Sequence, residues 1–339
     1  MSVREPATAI APSGTQYEIT HREQRAVIVE VGGGLRGYSV GDRDLLDGYG
    51  VDEICPSGRG QVLIPWPNRL QDGRYTFAGR HHQLALTEPQ RRNAIHGLVR
   101  WVAWTVGEMA PDRVAMEHLL RPQPGYAFSL AIRTEYSLSD EGLRVRTTAT
   151  NVGADRCPFG AGTHPYVTAG TAPVDDTILR VPARAVLRTD ERGHPTGVES
   201  AEATEYDFRR PRPIGPTRLD HCFTDLERDE DGLARVELRH PEDQTGVELW
   251  VDTGYSYLML FTGDPLPEVD RRSLAVEPMT CPPNAFRSGE ALISLEPGAS
   301  WVGEWGIDPS PSERSGTFLP GRPPHLEQTT NESEGEIPR

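Results

Sequence analysis

Cysteine is scarce and scattered. The four thiols, Cys55, Cys157, Cys222 and Cys281, form no C-x-x-C pair. That argues against a disulfide scaffold and a thiolate zinc site, and it fits free thiols in a reducing cytosol. Long apolar runs are also missing, and none approaches the ~18–20 residues of a membrane span. The opening stretch MSVREPATAIAPSGTQ lacks the charged start and apolar run of a secretory signal, so a cytoplasmic location is expected. Positive charge is in deficit. Lys and Arg number 35 against 50 Asp and Glu, for a formal net charge of −15. Nucleic acid and anionic membrane surfaces both require a basic face, so neither is expected as a partner. No window carries a long helical stripe, no repeat has a fixed period, and no H-x-H or H-E-x-x-H motif occurs. These absences disfavour a βαβ fold, a propeller and a metal enzyme.

What the chain does have is strand periodicity. In FSLAIRTEYSL, residues Phe128, Leu130, Ile132, Thr134, Tyr136 and Leu138 alternate with polar or small neighbours, so one face should be buried. GLRVRTTAT repeats the pattern with Leu143, Val145, Thr147 and Ala149, and the SDEG between them predicts a hairpin. ARVELRHPEDQTGVELWV predicts another, with His240 to Gly246 as its loop. RAVIVEV, GRYTFAG, YSYLMLF, RSLAVEP and ALISLEP are further strand candidates, with short helical turns around Asp42–Leu46 and Pro265–Val269. The expected architecture is all-β, a large antiparallel β-sandwich. Residues 309–339 are rich in Pro, Ser, Gly and Glu and hold few residues fit for a core, so they predict a disordered tail. Residues 1–14 have a similar character, which leaves 15–308 as the working domain.

Five stretches place ionisable groups where a strand or turn has no need of them. PWPNRLQDGRY holds Asn68 and Arg69, NAIHGLVRW holds His96, GAGTHPYVTAG holds His164, RLDHCFTDL holds Asp220, and AVEPMTCPPNAF holds Glu277. Each admits an ordinary structural role. Arg69 could be a surface arginine, either histidine a turn residue, and Asp220 a turn cap. Glu277 is the hardest to dismiss. It follows Leu274, Ala275 and Val276, where an unpaired carboxylate would be costly.

Taken in order, Asn-Arg, Gly-Arg-Tyr, His-Gly, His-Pro-Tyr, Asp-His-x-Phe and Glu-Pro resemble the aldose 1-epimerase, or galactose mutarotase, family over most of 15–308. The chain looks like a divergent, bacterial-type member, with Thr163 before the second histidine where Asn is usual. The resemblance implies a galactose-mutarotase-like supersandwich and a cofactor-free exchange of α and β anomers of a free aldohexose. It also implies roles: Glu277 as base, His164 as acid, His96 as a catalytic donor near the ring oxygen, and Arg69, Asp220 and Asn68 as sugar ligands. Trp66, Trp101 or Phe223 could stack on the sugar's apolar face. A hexose-6-phosphate epimerase would need extra cations, which Arg91, Arg92 and Arg100 could supply. The same fold could also serve a carbohydrate-binding protein without turnover, or a hydrolase using Asp220 with Glu277. A sugar is the expected partner, with the chain a monomer or weak homodimer.

Overall fold

A computed structural model describes residues 10–309 apart from 171–172, 243–244, 265 and 267–269. The alternating segments do form strands. Leu130–Ser139 and Gly142–Asn151 make a hairpin whose register runs from Ser139 opposite Gly142 to Leu130 opposite Asn151. Leu130, Ile132, Thr134, Tyr136 and Leu138 all point inward, as do Leu143, Val145, Thr147 and Ala149. The buried hydroxyls of Thr134 and Thr147 meet across the pair at 3.2 Å, and Tyr136 donates to the carbonyl of Gly33 at 2.7 Å. Polar atoms on this inner face therefore find partners, as burial demands.

The hairpin sits inside a nine-stranded antiparallel sheet. Its order is Thr105–Ala110, Arg113–Leu120, Leu130–Ser139, Gly142–Asn151, Ser300–Asp308, Gly246–Val251, Ala234–Arg239, Ile178–Arg180 and Arg212–Pro213. A second sheet runs Pro195–Ser200, Ala183–Thr189, Asp220–Leu226, Tyr257–Phe261, Leu274–Met279, Gly162–Thr163 and Val62–Leu63. Tyr166–Val167 pairs with Leu274–Met279 beside that path. One core joins the two sheets, with Leu130, Ile132 and Tyr136 of the first in the same cluster as Leu258, Leu260 and Val276 of the second. Each such side chain contributes roughly 1.5–3 kcal/mol by leaving water. A separate four-stranded sheet, opened by Gln16–His21, covers one flank.

Two expectations change. Asp42–Leu46 is not a helical turn. Gly41 turns the chain at φ 56°, and Arg43–Asp44 returns as a short strand on Ser39 and Val40. The turn expected at Pro265–Val269 lies outside the described residues except for Leu266, as does 310–339 of the expected tail. Within the expected N-terminal tail, 1–9 lie outside the described residues, whereas Ser13 is buried and its carbonyl accepts from Val31. Among the described residues no helix is long and apolar enough to cross a membrane, and the α-helix Ala285–Ser288 is one turn long. Cys157, Cys222 and Cys281 are buried, Cys55 is half-buried, and all four are free.

Candidate active site

The strand Leu274–Met279 is buried at all six positions. It pairs with Gly162 at Met279 and with Tyr166 at Ala275, so the two contacts share one register. That register places His164 across from Glu277, although the chain bends away from regular pairing between them. His164 Nε2 lies 3.4 Å from Glu277 Oε1, with both side chains almost wholly buried. The local chain holds the imidazole in place: Gly60 donates to the His164 carbonyl, and the ring stacks on Tyr166 at 5.0 Å and 9°. Gly58 is needed at its other edge, because a Cβ there would stand 3.0 Å from the ring.

His96 arrives from a different sheet. Arg69–Gln71 pairs with Asn93–Ile95, which brings the residues just beyond that ladder, Asn68 and His96, face to face. The His96 amide donates to the Asn68 carbonyl at 3.0 Å, and the Asn68 amide donates to His96 Nδ1 at 3.2 Å. Nδ1 is therefore the acceptor, and a neutral ring carries its proton on Nε2. Both residues take left-handed backbone, at φ 54° and 62°. Gly97 follows because any side chain there would collide with the Ile64 backbone, 2.1 Å away. The His96 and His164 rings meet edge-on at 5.3 Å.

These side chains line a cleft of about 430 Å³ with Arg69, Arg91, Arg100, Trp101, Asp220 and Asp264, within the range of small-ligand sites. A larger groove beside the N-terminal sheet holds charges already engaged with one another, such as Arg59 with Asp47 at 2.6 Å, and no convergent acid–base pair. In the cleft, Arg69 contacts Glu88 at 3.1 Å and Asp220 at 3.8 Å, and Arg91 reaches Asp220 at 3.9 Å.

Burial governs the titration of the centre. It pushes the Glu277 carboxyl well above the usual carboxylate range, the negative charge of Asp220 adds to the rise, and Arg69 opposes it. Burial, followed by the cations Arg100, Arg59 and Arg69, brings His164 down to about 3. His96 is also held well below the usual imidazole range, by burial and then by the neighbouring His164 and arginines. Neutral forms are favoured throughout. A pair so placed can hold one proton between its two members. Glu277 Oε2 and His164 Nδ1 are buried with no hydrogen-bond partner among the described residues.

Glu277, His164, His96, Arg69 and Asp220 thus converge. Asn68 does too, though its backbone orients His96 and its side-chain oxygen accepts from the Arg69 amide at 2.8 Å. Of the aromatic candidates, Trp66 and Phe223 are core residues, while Trp101 lines the cleft and is 51% exposed. Arg92 points away to Asp72 at 3.4 Å. Three donor atoms of His96, His164 and Glu277 lie within 4.8 Å of one another, a grouping that no short motif announces. The three cations acting on His164 disfavour a dication there. Glu88, which the sequence motifs do not single out, fixes Arg69 and accepts from Asn93 at 2.8 Å. In the sequence it stands directly before Pro89, in a polar stretch that gives no burial cue of the kind that marks Glu277.

The family model for aldose 1-epimerase matches residues 15–307. The uncharacterized protein YihR of Escherichia coli K12 is 34% identical over 287 residues, covering 84% of this chain and 90% of that protein. Among solved structures, the GalM/aldose epimerase homologue from C. elegans superposes with a TM-score of 0.78 at 19% identity, over 88% of this chain and 99% of that one. Galactose 1-epimerase from Lactobacillus acidophilus NCFM gives 0.71 at 19% identity, over 87% and 95%.

Proposed function

The chain belongs to the aldose 1-epimerase family, and we propose that it exchanges the α and β anomers of an aldohexose-type sugar by acid–base ring opening and closing. The observation that carries this is the buried Glu277–His164 pair, 3.4 Å apart in an open cleft. Ring opening moves two protons at one carbon. The C1 hydroxyl gives its proton to Glu277, the ring oxygen receives one from His164, and the C1–ring oxygen bond breaks. The aldehyde rotates about C1–C2, and closure on the other face returns both protons. A pair sharing one proton is suited to this, because each turnover restores it. The active tautomer, carboxylate with imidazolium, differs from the neutral one only by transfer across the 3.4 Å contact.

His96 supplies its Nε2–H to the ring-oxygen region. Arg69, braced by Glu88, and Asp220 hold hydroxyls and set the sugar's orientation. A binding protein would need hydroxyl partners but not a buried proton donor and acceptor in contact. A hydrolase would need Asp220 opposite Glu277 as its second carboxyl. Instead Asp220 engages Arg69 and Arg91, and Glu277 faces an imidazole.

Exchange spectroscopy by NMR, on a panel of aldoses at equilibrium, tests this. Protein should speed interconversion of at least one pair of anomers. The rate should plateau through neutral pH, falling in acid as a second proton enters the pair and in alkali as the last one leaves. No acceleration with any sugar would refute the proposal.

A further inference from the structure

Only part of the Arg69 guanidinium is free to meet a sugar. Glu88 occupies the edge formed by Nε and Nη2, at 3.1–3.2 Å, and Nη1 is left turned toward Asp220 at 3.8 Å. What fixes that division lies outside the cleft. Glu88 Oε2 accepts from the Asn93 amide at 2.8 Å. Asn93 is fully buried, and its amide nitrogen also donates to the Arg192 carbonyl at 3.1 Å. With both hydrogens on acceptors the amide has a single orientation, and its Oδ1 faces His194 Nε2 at 2.7 Å. The buried His194 must therefore donate from Nε2. Its Nδ1 lies 3.2 Å from Asp190 Oδ2, and Asp190 Oδ1 accepts from the backbone amides of Arg192 and His194.

Residues 190–194 form the tip of the hairpin between Ala183–Thr189 and Pro195–Ser200. The tip rests directly on the arginine. Gly193 is left-handed at φ 82°, and a Cβ there would stand 2.9 Å from Arg69 Cδ and Nη1. Arg192 ties the same tip to the Arg91 and Arg92 carbonyls and to Asp72, at 2.9–3.0 Å. Asn93, Gly193 and His194 do not line the cleft.

We propose that this hairpin tip positions the sugar-binding arginine, with Asn93 and His194 as positioning residues that act through Glu88. This rests on the proposed anomer exchange, in which Arg69 holds hydroxyls, and identifies what sets that hold. Donation runs one way, from His194 to Asn93 and from Asn93 to Glu88, whose carboxylate then faces the guanidinium. An unbraced arginine would be ordered only when the sugar binds, and its lost freedom would weaken binding. Here Glu88 orders one edge, and Gly193 packs against Cδ and Nη1. The tip thus governs affinity, while Glu277 and His164 govern the chemical step.

The test uses two replacements that split the contacts of the imidazole. His194→Gln keeps a donor in place of Nε2, and His194→Asn keeps one in place of Nδ1. The first readout is hydrogen exchange at Arg69 Nε–H, followed by NMR and assigned by its absence in Arg69→Lys. Exchange should quicken about tenfold or more in His194→Asn and stay within about threefold of wild type in His194→Gln. The second readout is anomer exchange of D-glucose and D-galactose. His194→Asn should raise KM about 3- to 30-fold, the upper end being the freedom of a released arginine, with kcat nearly unchanged. His194→Gln should restore KM. If both fold and behave alike, or if His194→Gln is the more disruptive, the histidine serves the hairpin through packing or Asp190, and the proposal is overturned. Gly193→Ala decides the case in which the buried variants fail to fold. Its methyl group would press on Arg69, so Nε–H exchange and KM should both rise. Gly79→Ala, left-handed at φ 75° with open space around it, should change neither. Equal effects from these two substitutions overturn the proposal. If wild type accelerates neither sugar, that counts against the proposed function, and Nε–H exchange alone judges the brace.

Discussion

The strands Leu130–Ser139 and Leu274–Met279 are both interior strands of antiparallel sheets, and they differ in what covers their second face. In the first, inward residues are buried while the alternate ones meet water. Arg133 sits on that wet face, 2.6 Å from Glu117 and 3.2 Å from Glu135. Exposed pairs of this kind are worth about 0–1 kcal/mol, so the face tolerates almost any polar residue. In the second strand both faces are covered, and the charge-bearing residue is Glu277. A carboxylate there has lost water without gaining a cation of its own, and its nearest titratable partner is His164 at 3.4 Å. The same secondary structure thus makes a charge inconsequential in one sheet and makes it a proton carrier in the other.

The largest effect should come from cutting that difference directly. Glu277→Gln keeps the side chain's shape and removes its basicity, so the exchange rate should fall ~10²–10⁴-fold while sugar binding persists. The same variant should be stabilised relative to wild type in alkali. The folded pKa of Glu277 is raised, so its contribution is present at low pH and is lost as pH climbs through the folded value. Glutamine has no such loss. The matching change on the first strand, Glu135→Gln, should move stability by no more than about 0.5 kcal/mol. Rates near wild type in Glu277→Gln would remove this residue from the chemistry.

A smaller effect separates packing from chemistry. Ile132 is 2% exposed on the inner face of the first strand. Ile132→Ala should cost about 2–5 kcal/mol in urea unfolding, with the exchange rate per folded molecule unchanged. If that rate fell tenfold or more, the nine-stranded sheet would be shaping the cleft as well as covering the core.

The contrast between the two strands also explains what was legible in the sequence. Alternation appears only when one face is wet, so the hairpin from Leu130 to Asn151 could be read residue by residue. Leu274–Met279, buried on both faces, shows a short apolar run with one carboxylate in it, and only that misfit drew attention to Glu277. The convergence of His96 with His164 depends on left-handed backbone at Asn68 and His96 and on the shared register of two short strand pairings. Neither leaves a periodic trace. Nothing in the sequence separates Arg92 from Arg100 as a cleft candidate, yet Arg92, in left-handed backbone at φ 55°, reaches Asp72, while Arg100 lines the cleft.

The smallest effect per step of pH concerns the two buried histidines, which have no counterpart on the first strand. His164 is brought down to about 3, and His96 is also held well below its usual value. A depressed histidine binds its proton in the unfolded chain first. Its contribution to stability is therefore complete above the unfolded pKa near 6.5 and is lost as pH falls toward the folded value. Each group can add at most about 1.4 kcal/mol per pH unit to that slope. Wild-type stability, followed by urea unfolding from pH 7 to pH 4, should fall more steeply than that of His164→Asn, because asparagine has no proton to gain. The two curves should approach one another as the solution is acidified, even if the variant starts lower at pH 7 through lost packing on Tyr166. Parallel curves would mean that His164 titrates alike in the folded and unfolded chains. The imidazole would then be in contact with water, and the dry proton-sharing pair would not exist in the free protein.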